Sequence, residues 1–159
     1  MFTKTTLAAV AATLALSAAA DARSLEEARA SGKLIVGIQA DNCPRGCLGS
    51  AGKAQGFDAE IARAFAAHPG PEAEFVPMAV AIRIPALTTD KVDVLIASLG
   101  ITAARAQSVQ FSQPYAENTL FVTAAKSADL PDLASLPDRS VGCPKPSTAS
   151  ASPWRNNRL

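Results

Sequence analysis

Histidine is almost absent from this sequence of 159 residues, in which His68 is the single copy. Proline and glycine follow it directly, which is typical of a turn after a helix. A hydrolase built on a histidine base is therefore not expected. An excess of one charge is also absent, because 15 Lys and Arg residues stand against 14 Asp and Glu residues, with no basic stripe. This balance argues against a nucleic-acid partner.

Cysteine is scarce as well, with three copies in the chain. Cys43 and Cys47 enclose a short Pro-Arg-Gly turn, across which a disulfide can form in an oxidising compartment. A zinc site would need two further ligands at suitable spacing, and Cys143 and His68 are both distant in the sequence. We therefore predict no metal and no cofactor. Two states stay open for Cys43 and Cys47, a disulfide and free thiols.

An apolar run lies at the amino end, but it is short for a membrane anchor and rich in alanine. Lys4 precedes the apolar stretch of residues 7–20, and Ala20 and Ala22 form an Ala-x-Ala cleavage motif. A secretory signal peptide typically has such a basic start, a short apolar core and a cleavage motif of this kind. We predict that residues 1–22 are removed and that the mature chain works outside the cytoplasm, in the periplasm.

Strand-like and helix-like segments alternate in the mature chain. Strands are predicted at residues 33–38 (KLIVGI), 74–76 and 92–97 (VDVLIA). Asp58 is predicted to cap a helix between the first two strands, with four residues on its apolar face: Ile61, Ala62, Phe65 and Ala66. A second short helix is predicted at residues 82–87. This order predicts an α/β fold with a mostly parallel sheet.

Residues 98–105 follow the third predicted strand, where ligands bind in such sheets. Thr102 is predicted to cap a helix, which places Arg105 at its third position, near the positive pole of the macrodipole. Backbone N–H groups and this guanidinium would together hold a carboxylate or a phosphate, and Gly100 lets the backbone come close to it. The alternative is an arginine that points into water from a surface helix.

Five segments in order carry a resemblance to a known family: GFDAEIARAFA, EFVPM, RIPAL, KVDVLIASLGITAAR and VQFSQPYA. From residue 33 to residue 140 the chain resembles the extracytoplasmic solute-binding proteins of family 3, the receptors of polar amino-acid ABC transporters. The resemblance implies a type II periplasmic-binding-protein-like fold, in which two α/β lobes close on an amino acid. It also implies a membrane permease as the partner.

The resemblance assigns roles to seven residues. Arg105 matches the arginine that clamps the ligand α-carboxylate, and Thr102 matches the residue whose backbone N–H assists it. Ser98 and Gly100 match the loop that receives the α-amino and α-carboxylate groups. The remaining positions line the ligand in many family members, two as aromatic walls and one as an acidic residue: Asn42, Val80 and Gln39. None of these three carries the usual residue here, so the ligand side chain stays open.

The resemblance also predicts how the chain is divided. Residues 23–125 match the first lobe and end in a predicted strand at 119–124. Residues 126–143 match the hinge and the beginning of the second lobe. Residues 144–159 are rich in Ser, Pro and Ala, predict a disordered tail and depart from the family pattern as a frameshift would. We therefore expect the second lobe to be largely absent and ligand binding to be weak or lost.

An enzyme on the same fold is the alternative function. Some periplasmic dehydratases that act on cyclic acids share the two-lobed architecture, and such an enzyme needs a catalytic acid in the cleft. Asp41 is the one loose candidate in the first lobe. We predict a binding protein and not an enzyme.

Overall fold

The computed structural model describes residues 23–68, 70–136 and 139–151. The predicted signal peptide and residues 152–159 of the predicted tail lie outside the described residues. The strands are β1 (Lys33–Gln39), β2 (Asp41–Asn42), β3 (Gly46–Leu48), β4 (Ala54–Gln55), β5 (Glu72–Met78) and β6 (Val94–Leu95). The α-helices are α1 (Leu25–Ser31), α2 (Phe57–Ala67), α3 (Arg83–Thr88) and α4 (Ala103–Ala106). Short 3₁₀ turns lie at Val80–Ile82, Leu133–Ser135 and Ala149–Ala151.

The central sheet is parallel and has the order β5-β1-β6, which confirms the predicted α/β class. β1 pairs with β5 along its whole length, from Lys33 opposite Glu72 to Gln39 opposite Met78. The second strand is thus longer than its predicted core at residues 74–76. A small antiparallel sheet, β2-β3-β4, follows β1.

The third strand is shorter than the predicted 92–97. Only Val94 and Leu95 pair with β1 as a ladder. The amide of Ile35 donates to the carboxylate of Asp93 at 2.7 Å instead of to a backbone carbonyl. This side chain therefore takes the place of one ladder bond, and the regular strand begins only at Val94.

Side chains of β1 alternate between two packed faces, as expected for a central strand covered on both sides. One face buries Leu34 and Val36 against alanines of α1 and α2, and Val36 is 0% exposed. Ile38 continues this face at 1% exposed. On the opposite face of the sheet, Met78 and Val92 pack against α3 together with Ile35 of β1. These layers hold the carboxyl ends of β1, β5 and β6 at one edge.

The apolar face of α2 differs in part from the prediction. Ala62 and Ala66 are buried and Ile61 is partly buried, as predicted, but Phe65 is 51% exposed. Small alanines therefore form the contact, which lets the helix lie close to the sheet.

Asp58 is not the cap of α2, and this prediction was wrong. The cap position is Gly56, at φ 103°, and Asp58 is the second helical residue. The first amides of the helix, those of Phe57 and Asp58, donate to the carbonyls of Pro44 and Arg45 at 3.1 and 2.8 Å. A Cβ on Gly56 would lie 2.5 Å from the Pro44 oxygen, so this approach requires glycine. Asp58 is thereby left to bond elsewhere.

The predicted strand at 119–124 is also wrong, because the structure has no regular element there. Within the described residues no strand pairs with this segment, and an unpaired strand has nothing to satisfy its backbone. Phe121 is 80% exposed. None of the helices in the described part of the chain has the length and apolarity needed to cross a bilayer.

Cys43 and Cys47 are joined by a disulfide that closes the turn holding the start of α2. Closing a loop of about five residues removes unfolded-state entropy worth about 2 kcal/mol. We therefore expect reductant to lower the melting temperature of the chain. The control is a Cys43→Ser/Cys47→Ser variant, whose melting temperature should already be lower and should not respond to reductant. An unchanged native melting temperature on reduction would contradict the stabilising role.

Candidate functional site

The loop after β6 lies at the carboxyl edge of the parallel sheet, where the sequence placed it. Ser98 adopts φ 50°, a left-handed conformation that costs a non-glycine residue energy and needs support from its surroundings. Thr102 caps α4, as predicted, since its Oγ1 accepts from the Arg105 amide at 3.2 Å. The loop is therefore fixed at both ends by side-chain hydrogen bonds. At one end the Ser98 hydroxyl donates to Asp58, and at the other Thr102 accepts from the Arg105 amide.

Arg105 folds back onto the loop. Its Nη1 donates to the Gly100 carbonyl at 2.8 Å, and the residue is the third of α4, as predicted. The helix has only four residues, however, so its macrodipole is small and the cation meets little opposing field. A short helix and a carbonyl partner thus explain why an arginine is tolerated there. The guanidinium has further donors besides the one that binds Gly100.

A buried carboxylate supports the Ser98 end of the loop. Asp58 is 0% exposed, and its Oδ2 accepts from the Ser98 hydroxyl at 2.7 Å. Its Oδ1 accepts from the Tyr115 hydroxyl at 3.2 Å. Asn42 Nδ2 faces Ser98 Oγ at a longer 3.5 Å. Burial, together with the charge and the hydrogen bond of Asp58, raises the pKa of Tyr115 to about 12, while Arg45 acts in the opposite direction.

A buried guanidinium joins the ends of the strands. Arg83 is 4% exposed and donates to the carbonyl of Ala97, just before the loop. It also reaches the Gln39 side chain and the Val80 carbonyl, both at 3.4 Å. Burial first, and then the charge of Arg105, lowers the pKa of Arg83, while Asp41 and Asp58 oppose this shift. Arg83 stays charged, because a guanidinium does not lose its proton in proteins.

The seven residues proposed as ligand contacts fall at one edge of the sheet but form two groups. Ser98, Gly100, Thr102 and Arg105 share the loop, and Asn42 reaches it through Ser98. Gln39 and Val80 join it only through Arg83. Gln39 Nε2 also donates to Asp41 at 2.9 Å.

A cavity of about 430 Å³ opens beside the loop. Its lining includes Ser98, Gly100, Tyr115 and Thr148. A Cβ on Gly100 would lie 2.7 Å from the Thr148 methyl, so the glycine permits Thr148 to come close. The volume suits a small polar molecule. Residues 144–151 of the predicted tail are thus described, and Thr148 lies against the loop.

Sequence reasoning missed three members of this arrangement. Asp58 is predicted to be a cap, and the sequence assigns no supporting role to Arg83 or Tyr115. Tyr115 is 44% exposed, with its hydroxyl on Asp58. The signal for Asp58 was its place one residue inside the helix start, after glycine and phenylalanine.

Curated relatives are amino-acid-binding proteins that are longer than this chain. ABC transporter arginine-binding protein 1 of Escherichia coli K12 is 33% identical over 62% of this chain and 41% of that protein. The L-cystine-binding protein TcyJ of the same strain is 31% identical over 67% and 40%. The histidine-binding periplasmic protein of Salmonella typhimurium LT2 is 30% identical over 69% and 43%. The chain thus spans about two fifths of the length of these relatives.

Solved structures agree with the fold. The arginine-bound form of domain 1 from TmArgBP matches with a TM-score of 0.54 and 38% identity, over 56% of this chain and 71% of that chain. The ancestral amino acid-binding protein AncCDT-1, a precursor of cyclohexadienyl dehydratase, matches with a TM-score of 0.56 and 39% identity, over 58% and 41%.

A family model matches most of the chain. It matches residues 34–152, so that it includes the segment that packs on Gly100. The chain therefore belongs to the bacterial extracellular solute-binding proteins, family 3.

Proposed function

We propose that the chain is the first lobe of a periplasmic receptor that binds a polar amino acid and delivers it to the permease of an ABC importer. The observation that carries this proposal is that the loop after β6 carries two groups of opposite polarity. Arg105 offers guanidinium donors, and Ser98 offers an oxygen whose proton is already donated to Asp58. An α-carboxylate and an α-ammonium group need this pair of partners.

The names of the relatives support the ligand class. They describe proteins that bind arginine, cystine and histidine, and each of these amino acids has a polar side chain. A single domain of TmArgBP has been crystallised in an arginine-bound form, which supports binding by one lobe. For one lobe alone we expect weak affinity, near 1 mM, which corresponds to about 4.1 kcal/mol of binding free energy.

The alternative, a dehydratase of cyclic acids, has one observation in its favour, since AncCDT-1 is described as a precursor of cyclohexadienyl dehydratase. That protein is itself described as amino acid-binding. Asp41, the candidate acid, is exposed and accepts a hydrogen bond from Gln39. We therefore prefer the receptor.

Calorimetric titration of the purified chain tests the proposal. L-arginine, L-histidine and L-cystine are the ligands, and agmatine, which is arginine without its carboxylate, is the matched control. We expect at least one amino acid to bind and agmatine not to bind, because Arg105 needs an anion. Equal binding of agmatine and arginine, or no heat from any amino acid at millimolar concentration, would contradict the proposal.

A further inference from the structure

Asp58 is the one carboxylate among the described residues that is completely buried and lies next to the loop. Its two oxygens accept from hydroxyl groups of two different segments, Ser98 after β6 and Tyr115 farther along the chain. A buried carboxylate is costly to retain unless its hydrogen bonds are made. Holding α2 to the sheet does not require it, since the alanines of α2 already do so.

The bond to Ser98 determines what that hydroxyl can do. A serine hydroxyl has one proton and two lone pairs. Its proton points to Asp58 at 2.7 Å, so the oxygen can only accept from other groups. The long approach of Asn42 at 3.5 Å leaves room for a better donor. An ammonium group is such a donor, and the negative charge behind Ser98 favours it further.

We propose that Asp58 is a positioning residue that sets the ligand preference of the site by fixing Ser98 as an acceptor for the α-ammonium group. It does so without touching the ligand. The inference rests on the proposed function and assigns the two ligand groups separately, the ammonium to Ser98 and the carboxylate to Arg105. Tyr115 donates a hydrogen bond to the second oxygen of Asp58 and so helps to hold the carboxylate in place.

The test compares L-arginine with des-amino arginine, the same molecule without its α-amino group. Asp58→Asn should weaken arginine binding by about tenfold or more, the effect of losing a hydrogen bond to a charged group. Binding of des-amino arginine should change by less than about threefold. Asp90→Asn, the same change at an exposed carboxylate, is the control and should affect neither ligand. An equal loss of both ligands in Asp58→Asn would mean a merely structural role and overturn the proposal.

A second variant covers the case in which Asp58→Asn does not fold. Ser98→Ala leaves Asp58 its bond from Tyr115. It should remove the preference for arginine over des-amino arginine, which in the native chain is expected to be about tenfold. A preference that survives in Ser98→Ala would overturn the proposal as well.

A ligand-free readout separates this proposal from the proposed function. Tyr115 is the single tyrosine of the chain, so tyrosinate absorbance reports on it alone. Its pKa, raised to about 12 by burial and then by Asp58, should fall part of the way toward 10.0 in Asp58→Asn, and backbone amides of residues 98–100 should exchange faster with solvent. If the native chain binds none of L-arginine, L-histidine and L-cystine, the receptor function fails. Unchanged titration and exchange would then also overturn the role of Asp58.

Discussion

Arg105→Ala is expected to abolish measurable amino-acid binding by this chain. Removing one partner of a desolvated charge pair costs about 2–5 kcal/mol, and a single lobe that binds near 1 mM has only about 4.1 kcal/mol of affinity. The change also removes the donor of the Gly100 carbonyl, 2.8 Å away, and so loosens the loop. Calorimetry with L-arginine measures the loss.

Two variants sharpen this prediction. Arg105→Lys should restore only part of the affinity, because an ammonium cannot reproduce the two-pronged contact of a guanidinium with a carboxylate. Arg29→Ala, at an exposed position on α1, is the control and should bind as the native chain does. An unchanged dissociation constant in Arg105→Ala would remove this arginine from the site.

Ile38→Ala is expected to be the most damaging core substitution near the site. Ile38 is 1% exposed and packs against Ala54 and Ala59 under the carboxyl end of β1. Truncation of a buried isoleucine to alanine costs about 2–5 kcal/mol, because a cavity remains where the methyl groups were. That is a large share of the roughly 5–15 kcal/mol that holds a typical domain together.

Denaturant unfolding measures this effect. Ile82→Ala, at a position that is 52% exposed, is the matched control and should change the free energy of unfolding by less than about 0.5 kcal/mol. Ile38→Val should lie between the two, at about 0.5–1.5 kcal/mol. Equal unfolding free energies for Ile38→Ala and Ile82→Ala would contradict the described core.

The parallel sheet was predictable because its signals are local. β1 is an apolar run of β-branched residues, and such runs form buried strands whatever lies far away. The extent of β6 was not predictable, because it depends on the Asp93 side chain bonding to Ile35, which is 58 residues earlier. The predicted strand at 119–124 failed for the related reason that a strand needs a partner, and the sequence alone does not show whether one is present.

The candidate site also has features that the sequence predicts from local spacing and features that depend on distant residues. The Thr102 cap joins residues three apart, so sequence spacing was enough to find it. Asp58 bonds to residues 40 and 57 positions later, and at the start of a helix an Asp normally predicts a cap. The carbonyls of the Cys43–Cys47 turn already accept the first helical amides, and only the fold shows this.

An amide chemical-shift titration of the full chain with L-arginine tests most directly whether this loop binds the amino acid. We expect the largest shifts at Ser98, Gly100, Thr102 and Arg105 and smaller ones at Asn42, and we expect agmatine to reproduce none of them. Shifts centred elsewhere in the chain, or equal shifts with agmatine, would contradict an amino-acid carboxylate site on this loop.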